Sequence, residues 1–225
     1  MQIHVGAALV AVALVIAHVR SHRRRMRVRC TDVGRRTALR GAGLVAGAAA
    51  MWLVAPGRER RVTGSHEVGS DDPVAMPITQ WLLDPVPRIE PATWLLRATP
   101  GPTVLDLAAL AALPQRSVRA VLDCTGGWWA EQEWRGVPLS ALVEVSPGGS
   151  VEVVSATGYR RRLPARDLDG LLLATSAGGR PLSAGHGAPA RLVAPGRRGF
   201  WWVKWVVAID TVDAPWWRQT PFPVQ

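Results

Sequence analysis

Val121-Leu122-Asp123-Cys124-Thr125-Gly126-Gly127-Trp128-Trp129 is the stretch on which the reading of this 225-residue chain turns. An apolar run over 118–123 reads as a strand that ends at a cysteine, and two glycines and two tryptophans follow at once. Paired glycines let a backbone approach a bulky group, because neither carries a Cβ. Only one other cysteine exists, Cys30, and it lies in an arginine-rich stretch far from Cys124. No zinc-type Cys/His spacing is present. A cysteine without a partner persists either by burial in a core or by ligating a metal, and composition alone leaves both open.

Outward from this stretch, short apolar runs alternate with turns. Residues 94–98, 151–155, 191–194 and 203–209 also read as strands, and 105–113, 138–145 and 168–175 as short helices. They follow no regular βαβ rhythm, which predicts an α+β fold of mixed sheets with short helices. Residues 57–90 hold several prolines and glycines and read as an extended arm. No internal repeat, GxGxxG or GxxxxGK[ST] motif occurs. Eleven tryptophans stand against two Phe and one Tyr, and ten of them follow residue 80. They suit core and cofactor-wall positions, with a sugar-binding surface as the other use of such residues.

The formal net charge is +10. Residues 1–60 carry 11 arginines and two acids, whereas residues 61–225 carry 16 basic and 15 acidic residues. The excess is confined to one connector without interleaved stacking aromatics, which argues against a nucleic-acid partner. Apolar runs at 5–19 and 41–55 flank that connector. They predict two transmembrane helices at about 3–20 and 38–56 in an anchor over residues 1–57, and so contact with membrane lipid. The positive-inside rule makes the arginine-rich loop cytoplasmic and places residues 58–225 on the extracytoplasmic side of the cell membrane. Gly34-Arg35-Arg36-Thr37 resembles a twin-arginine export signal, or simply sets topology. His4 and His18 are 14 residues apart, about 21 Å along a helix. That spacing resembles paired ligands of haem b, which would need further ligands from a partner chain; the plainer reading is two interfacial histidines.

The central stretch, together with Trp134-Arg135-Gly136-Val137-Pro138-Leu139, resembles the molybdopterin-binding domain of the sulfite oxidase family. His186-Gly187-Ala188-Pro189-Ala190-Arg191-Leu192 and Gly199-Phe200-Trp201-Trp202-Val203-Lys204-Trp205 continue the resemblance in the same order. It implies that Cys124 ligates molybdenum. It also implies that Arg191, Lys204, the backbone near Trp202 and Val203, and Ser155 at the end of a strand hold an anionic pterin cofactor. The arm Thr63-Gly64-Ser65-His66-Glu67 is similar to a pterin-contacting loop of the bacterial branch, so Thr63, His66 and Glu67 join the set. His186 stands where that branch has Asn.

A thiolate is a soft ligand suited to such a metal, and a guanidinium offers a bidentate fork to phosphate. Arg198, with Arg160, Arg161, Arg162 and Arg197, is a candidate for gathering an oxyanion at the pocket mouth, or is solvated charge. The implied function is oxo-transfer redox chemistry on a small oxyanion, S-oxide or N-oxide, coupled to a cytochrome- or quinone-linked partner. Two other classes remain: a membrane electron-transfer subunit with haem b at His4 and His18, and a cofactor-free binding module on the same fold.

Overall fold

The computed structural model describes residues 2–21, 34–54, 60–81, 84–99, 103–146 and 148–220. The chain forms two compact units, Met1–Arg58 and Glu59–Gln225. Cys30 lies outside the described residues.

The first unit holds two helices, α1 (Gln2–Ser21) and α2 (Arg35–Val54). Among the described residues no helix is long and apolar enough to cross a membrane. This corrects the expectation of two transmembrane helices and removes the basis for contact with membrane lipid. The physical reason is the length of the apolar stretches. In α1 the run free of polar residues is 5–17, between His4 and His18. At 1.5 Å per residue it covers about 20 Å of a hydrocarbon core about 30 Å thick. Helix α2 starts with Arg35 and Arg36 and has Arg40 one turn later, so the arginines expected in the connector occupy its first turns. The run that follows is mostly Gly and Ala, the weakest apolar residues.

The second unit contains β1 (His66–Glu67), β2 (Leu95–Ala98), β3 (Thr103–Asp106), α3 (Leu107–Ala112), β4 (Arg116–Asp123), β5 (Trp128–Pro138), β6 (Ser150–Ser155), β7 (Arg160–Pro164), β8 (Leu172–Ala177), β9 (Arg180–Pro181), β10 (Arg191–Val193) and β11 (Val206–Val212). Short 3₁₀ turns link several of them. One sheet runs β1-β5-β8-β10, with β4 also on β5 and β9 on β8. The other runs β3-β2-β11-β6-β7. Each has one parallel pair, β1 with β5 and β2 with β11, among antiparallel neighbours. The expected mixed-sheet fold is therefore present in Glu59–Gln225.

Strand β5 organises the first sheet, bonding to β4, β1 and β8. Trp128, Ala130, Gln132 and Trp134 point inward, while the residues between them are charged or half-exposed, the period of two that a half-buried strand needs. Residues 168–175 do not form the expected helix. A 3₁₀ turn at Ala165–Gly170 is followed by β8, whose Leu172, Leu173 and Ala174 pair with β5 and β10 on both sides. A short apolar run has no periodicity to separate a helix from a fully buried strand, and pairing on both edges decides it. Residues 138–145 likewise contract to a 3₁₀ turn, Leu139–Ala141. Helix α3 is present, with Asp106 Oδ1 accepting from the Ala109 amide at 2.7 Å and Leu110 as its buried anchor.

Residues of both sheets form one apolar cluster. Trp134 is at its centre, fully buried, donating from Nε1 to the Ala120 carbonyl at 3.1 Å and meeting the Trp202 ring edge-on at 5.5 Å. Trp134→Ala should cost about 3–5 kcal/mol of unfolding free energy, read from the midpoint of a denaturant titration at constant slope. A loss below about 1 kcal/mol would show that this ring adds little to the core.

Candidate active site

Strand β4 delivers Cys124 to a hairpin loop. The Cys124 amide donates to the Trp128 carbonyl at 2.8 Å, and the Gly127 amide returns to the Cys124 carbonyl at 3.1 Å. Gly127 sits at φ +84°, a backbone region L side chains avoid, so the second glycine of the pair makes the turn. The Gly126 amide points at Cys124 Sγ, 3.3 Å away. Gly199 packs on the same cysteine: a Cβ there would lie 3.0 Å from Cys124 Cα and 3.2 Å from the Asp123 carbonyl oxygen. Cys124 is a free, buried thiol.

Asp123 secures the hairpin from behind. It is buried, and it accepts from Ser65 Oγ at 2.7 Å and Thr63 Oγ1 at 2.8 Å. Arg61 and Arg198 both stand 3.4 Å from its carboxylate. Arg198 also donates to the Cys124 carbonyl at 3.3 Å. Of the expected arm residues, Thr63 is thus spent on Asp123. His66 is exposed on β1 beside Trp128, and Glu67 caps the Ser70 amide at 2.8 Å. Arg198 is drawn to the back of the hairpin.

Two cations lie close to the thiol. Arg191, on β10, is 1% exposed and has no carboxylate partner among the described residues. Its guanidinium lies between the rings of Trp134 and Trp202, at 5.0 and 5.7 Å from their centres, and donates to the His186 carbonyl at 3.1 Å. Its Nε is buried without an acceptor. Burial pushes this guanidinium down to about 10, opposed by the Cys124 thiol. Lys204 donates from Nζ to the Thr79 carbonyl at 2.9 Å and to that of Gly185. Burial, with Arg191 adding to it, pushes the ammonium down to about 7. A buried guanidinium with an idle donor and a half-buried ammonium with a third N–H to spare make a place for an anion.

A cleft opens beside Cys124. It brings Cys124, Ser155, Trp202 and Lys204 onto one surface. Ser155 Oγ is 3.1 Å from Thr157 Oγ1. Val203 contributes backbone: its carbonyl accepts from the Leu192 amide at 2.7 Å and fixes Lys204 against β10. His186 is buried nearby. Its Nε2 donates to the Met76 carbonyl at 2.9 Å, and its Nδ1 is 2.8 Å from Ser183 Oγ.

The cleft also holds residues without a sequence signal: Trp81 and Asp84, from the proline-rich arm, and Tyr159. Phe200, from the Gly199–Trp205 segment, lines it as well, a residue to which the family resemblance gives no role. None of the five arginines named for oxyanion capture lines it. Arg160 and Arg162 face Glu152, Arg197 pairs with Asp167 and Arg198 with Asp123. Arg161 is buried, with its guanidinium 4.2 Å from the Trp201 ring centre. Of the pair named for haem, both histidines fall on α1, and α2 contains no histidine.

Residues 83–220 match the family model described as an oxidoreductase molybdopterin binding domain. Inducible nitrate reductase (NADH) 2 of Glycine max is 27% identical over 66% of this chain and 23% of its own length. The chain thus spans about a quarter of that relative. Among solved structures, the sulfane dehydrogenase SoxCD from Paracoccus pantotrophus superimposes with a TM-score of 0.53 at 26% identity, over 58% of this chain and 41% of that one.

Burial holds the His186 imidazole below its ordinary value, with Arg191 and Lys204 adding to that against the Met76 carbonyl. A histidine whose folded-state value is lowered loses stability to acid. As pH falls below about 6.5 the unfolded chain takes up a proton that the folded one refuses, at up to about 1.4 kcal/mol per pH unit. Denaturant titrations at pH 7.5 and 5.0 should therefore show a smaller acid loss in His186→Gln than in the parent. Equal losses would mean that His186 does not titrate differently on folding.

Proposed function

The chain belongs to the family defined by the oxidoreductase molybdopterin binding domain, which spans residues 83–220, and on that premise we propose that it transfers an oxygen atom to or from a small substrate and exchanges electrons with a cytochrome- or quinone-linked partner. The observation that carries the reading is the pairing of a buried free thiol with a buried guanidinium and a half-buried ammonium that have no carboxylate partner among the described residues. These residues fit a molybdenum–molybdopterin cofactor. Cys124 is a soft ligand for the metal. Arg191, with its idle Nε, and Lys204 suit the anionic phosphate end. Such a cofactor, once bound, supplies a metal that changes oxidation level by two electrons and exchanges one oxygen atom with substrate.

The protein's own part is positioning. The Cys124–Gly127 turn and the Gly126 amide fix Sγ, and the Asp123 clamp keeps that turn from shifting. Trp134 and Trp202 keep Arg191 out of water while leaving its Nε edge idle. Removing water strengthens each of these charge interactions. In the reducing direction the balance is R–X–O + 2e⁻ + 2H⁺ → R–X + H₂O, with both electrons coming from the partner. The oxidising direction is its reverse.

The test is turnover of the cofactor-loaded protein with a reduced viologen dye as donor and a panel of oxyanions, S-oxides and N-oxides, alongside ferricyanide-coupled oxidation of sulfite. Loss of an outer partner of a metal ligand typically costs 10–100-fold. Cys124→Ser should therefore lose more than about 100-fold while keeping the parent's circular dichroism and melting profile. Parental turnover in the variant would remove Cys124 from the chemistry and the proposal with it.

A further inference from the structure

The wall of the cleft that the cofactor residues do not occupy has a chemistry of its own. The Trp81 ring meets Tyr159 edge-on at 6.3 Å and Phe200 at a tilt at 6.4 Å, and all three rings line the cleft. Tyr159 is locked there, because its hydroxyl donates to the Phe200 carbonyl. Asp84 lies on the same cleft. Its Oδ2 accepts from Thr157 Oγ1 at 2.8 Å, and its Oδ1 has no partner among the described residues. Asp84 also bears on Tyr159, whose phenol is pushed up by burial first and by this carboxylate as well, against Arg161. The charged groups lining the cleft are Asp84 and Lys204. If Lys204 serves the cofactor's anion, the charge left facing substrate is negative.

Gln80 and Thr125 line the same cleft and offer neutral donors, but an inorganic oxyanion would also meet the Asp84 carboxylate and aromatic rings, whose faces carry the negative end of the quadrupole. A positively polarised alkyl group is what such a surface attracts. Resting on the oxo-transfer reading above, we propose that the cleft takes a tertiary-amine N-oxide, and that Asp84 is the residue that sets this specificity. The N-alkyl groups, which share the formal positive charge of nitrogen, lie against Trp81, Tyr159 and Phe200. The carboxylate of Asp84 completes the cationic side, and the oxygen faces the Cys124 side. In the reaction the N–O bond breaks, and the nitrogen keeps the bonding pair as its lone pair. The oxygen leaves as water after taking two protons, and the two electrons come from the cytochrome- or quinol-class donor.

The experiment uses the cofactor-loaded protein with its molybdenum content measured on the same preparation. Trimethylamine N-oxide, dimethyl sulfoxide and nitrate serve as substrates, and tetramethylammonium as a non-reacting probe followed by calorimetry. The expected order of kcat/KM is trimethylamine N-oxide first, by about tenfold or more over nitrate. Asp84→Asn, which keeps an oxygen for Thr157, should raise KM for the N-oxide about tenfold and lower it for nitrate, reversing the ratio without a matching change in kcat. Tetramethylammonium should bind the parent and bind Asp84→Asn or Trp81→Ala about fivefold or more weakly, the range of one cation–π contact. Preference for nitrate or the S-oxide, a specificity ratio unmoved by Asp84→Asn, or no binding of tetramethylammonium would each overturn the proposal. Absence of molybdenum would instead strike the oxo-transfer reading, and the calorimetry would still report on the cleft.

Discussion

A guanidinium taken out of water without a carboxylate beside it carries a penalty of several kcal/mol, and Arg191 is in that position. The fold tolerates it through geometry. Trp134 and Trp202 press their faces toward the cation, and the His186 carbonyl takes one of its donors. Both tryptophans also belong to the apolar cluster of the core, so the group that costs the domain stability is held by rings that contribute to it. Lys204 repeats the arrangement with two backbone carbonyls as its acceptors. Two like charges kept in one interior make sense where an anion completes the site. The proposed molybdopterin cofactor would bring such an anion.

The thiol faces this charged interior through a different device. Asp123 gathers Ser65, Thr63, Arg61 and Arg198 from segments on both sides of it in sequence, and each contact stiffens the residue next to Cys124. A neutral hydroxyl on a buried carboxylate is worth more than a surface ion pair, because neither partner returns to water. The arm over residues 60–67 therefore acts on the site through Asp123 and not by reaching into the cleft with its own side chains. By contrast the ion pairs of Arg119 with Asp71 and Glu131 are half-exposed and add little beyond solubility.

Much of this was legible in the chain itself. Cys124, Arg191, Lys204 and Ser155 sit at strand ends or inside apolar runs, where a polar residue signals a buried duty; the structure puts Cys124, Ser155 and Lys204 on one cleft and Arg191 buried outside its lining, beside Lys204. What was not legible came from pairing. Strand β5 carries Glu131, Glu133 and Arg135 on its outer face, but its period of two is interrupted by Gln132, a polar residue on the inward face. Residues 168–175 are apolar without period, and only two flanking strands make them β8. Trp81 and Asp84 lie in a stretch whose prolines announce irregular backbone and nothing more. The apolar runs near the N-terminus read as spans until their polar interruptions, His4, His18, Arg35, Arg36 and Arg40, are set against the thickness of a bilayer.

The most direct measurement of the central claim is molybdenum per chain, by elemental analysis of protein made in a host that synthesises the cofactor, for the parent beside Cys124→Ala and Arg191→Gln. The account predicts close to one metal per chain in the parent and a clear deficit in both variants, one losing the metal's thiolate and the other the cation at the cofactor's anionic end. A folded parent without molybdenum, or variants that retain it in full, would contradict the claim that the thiol and the two cations together hold this cofactor.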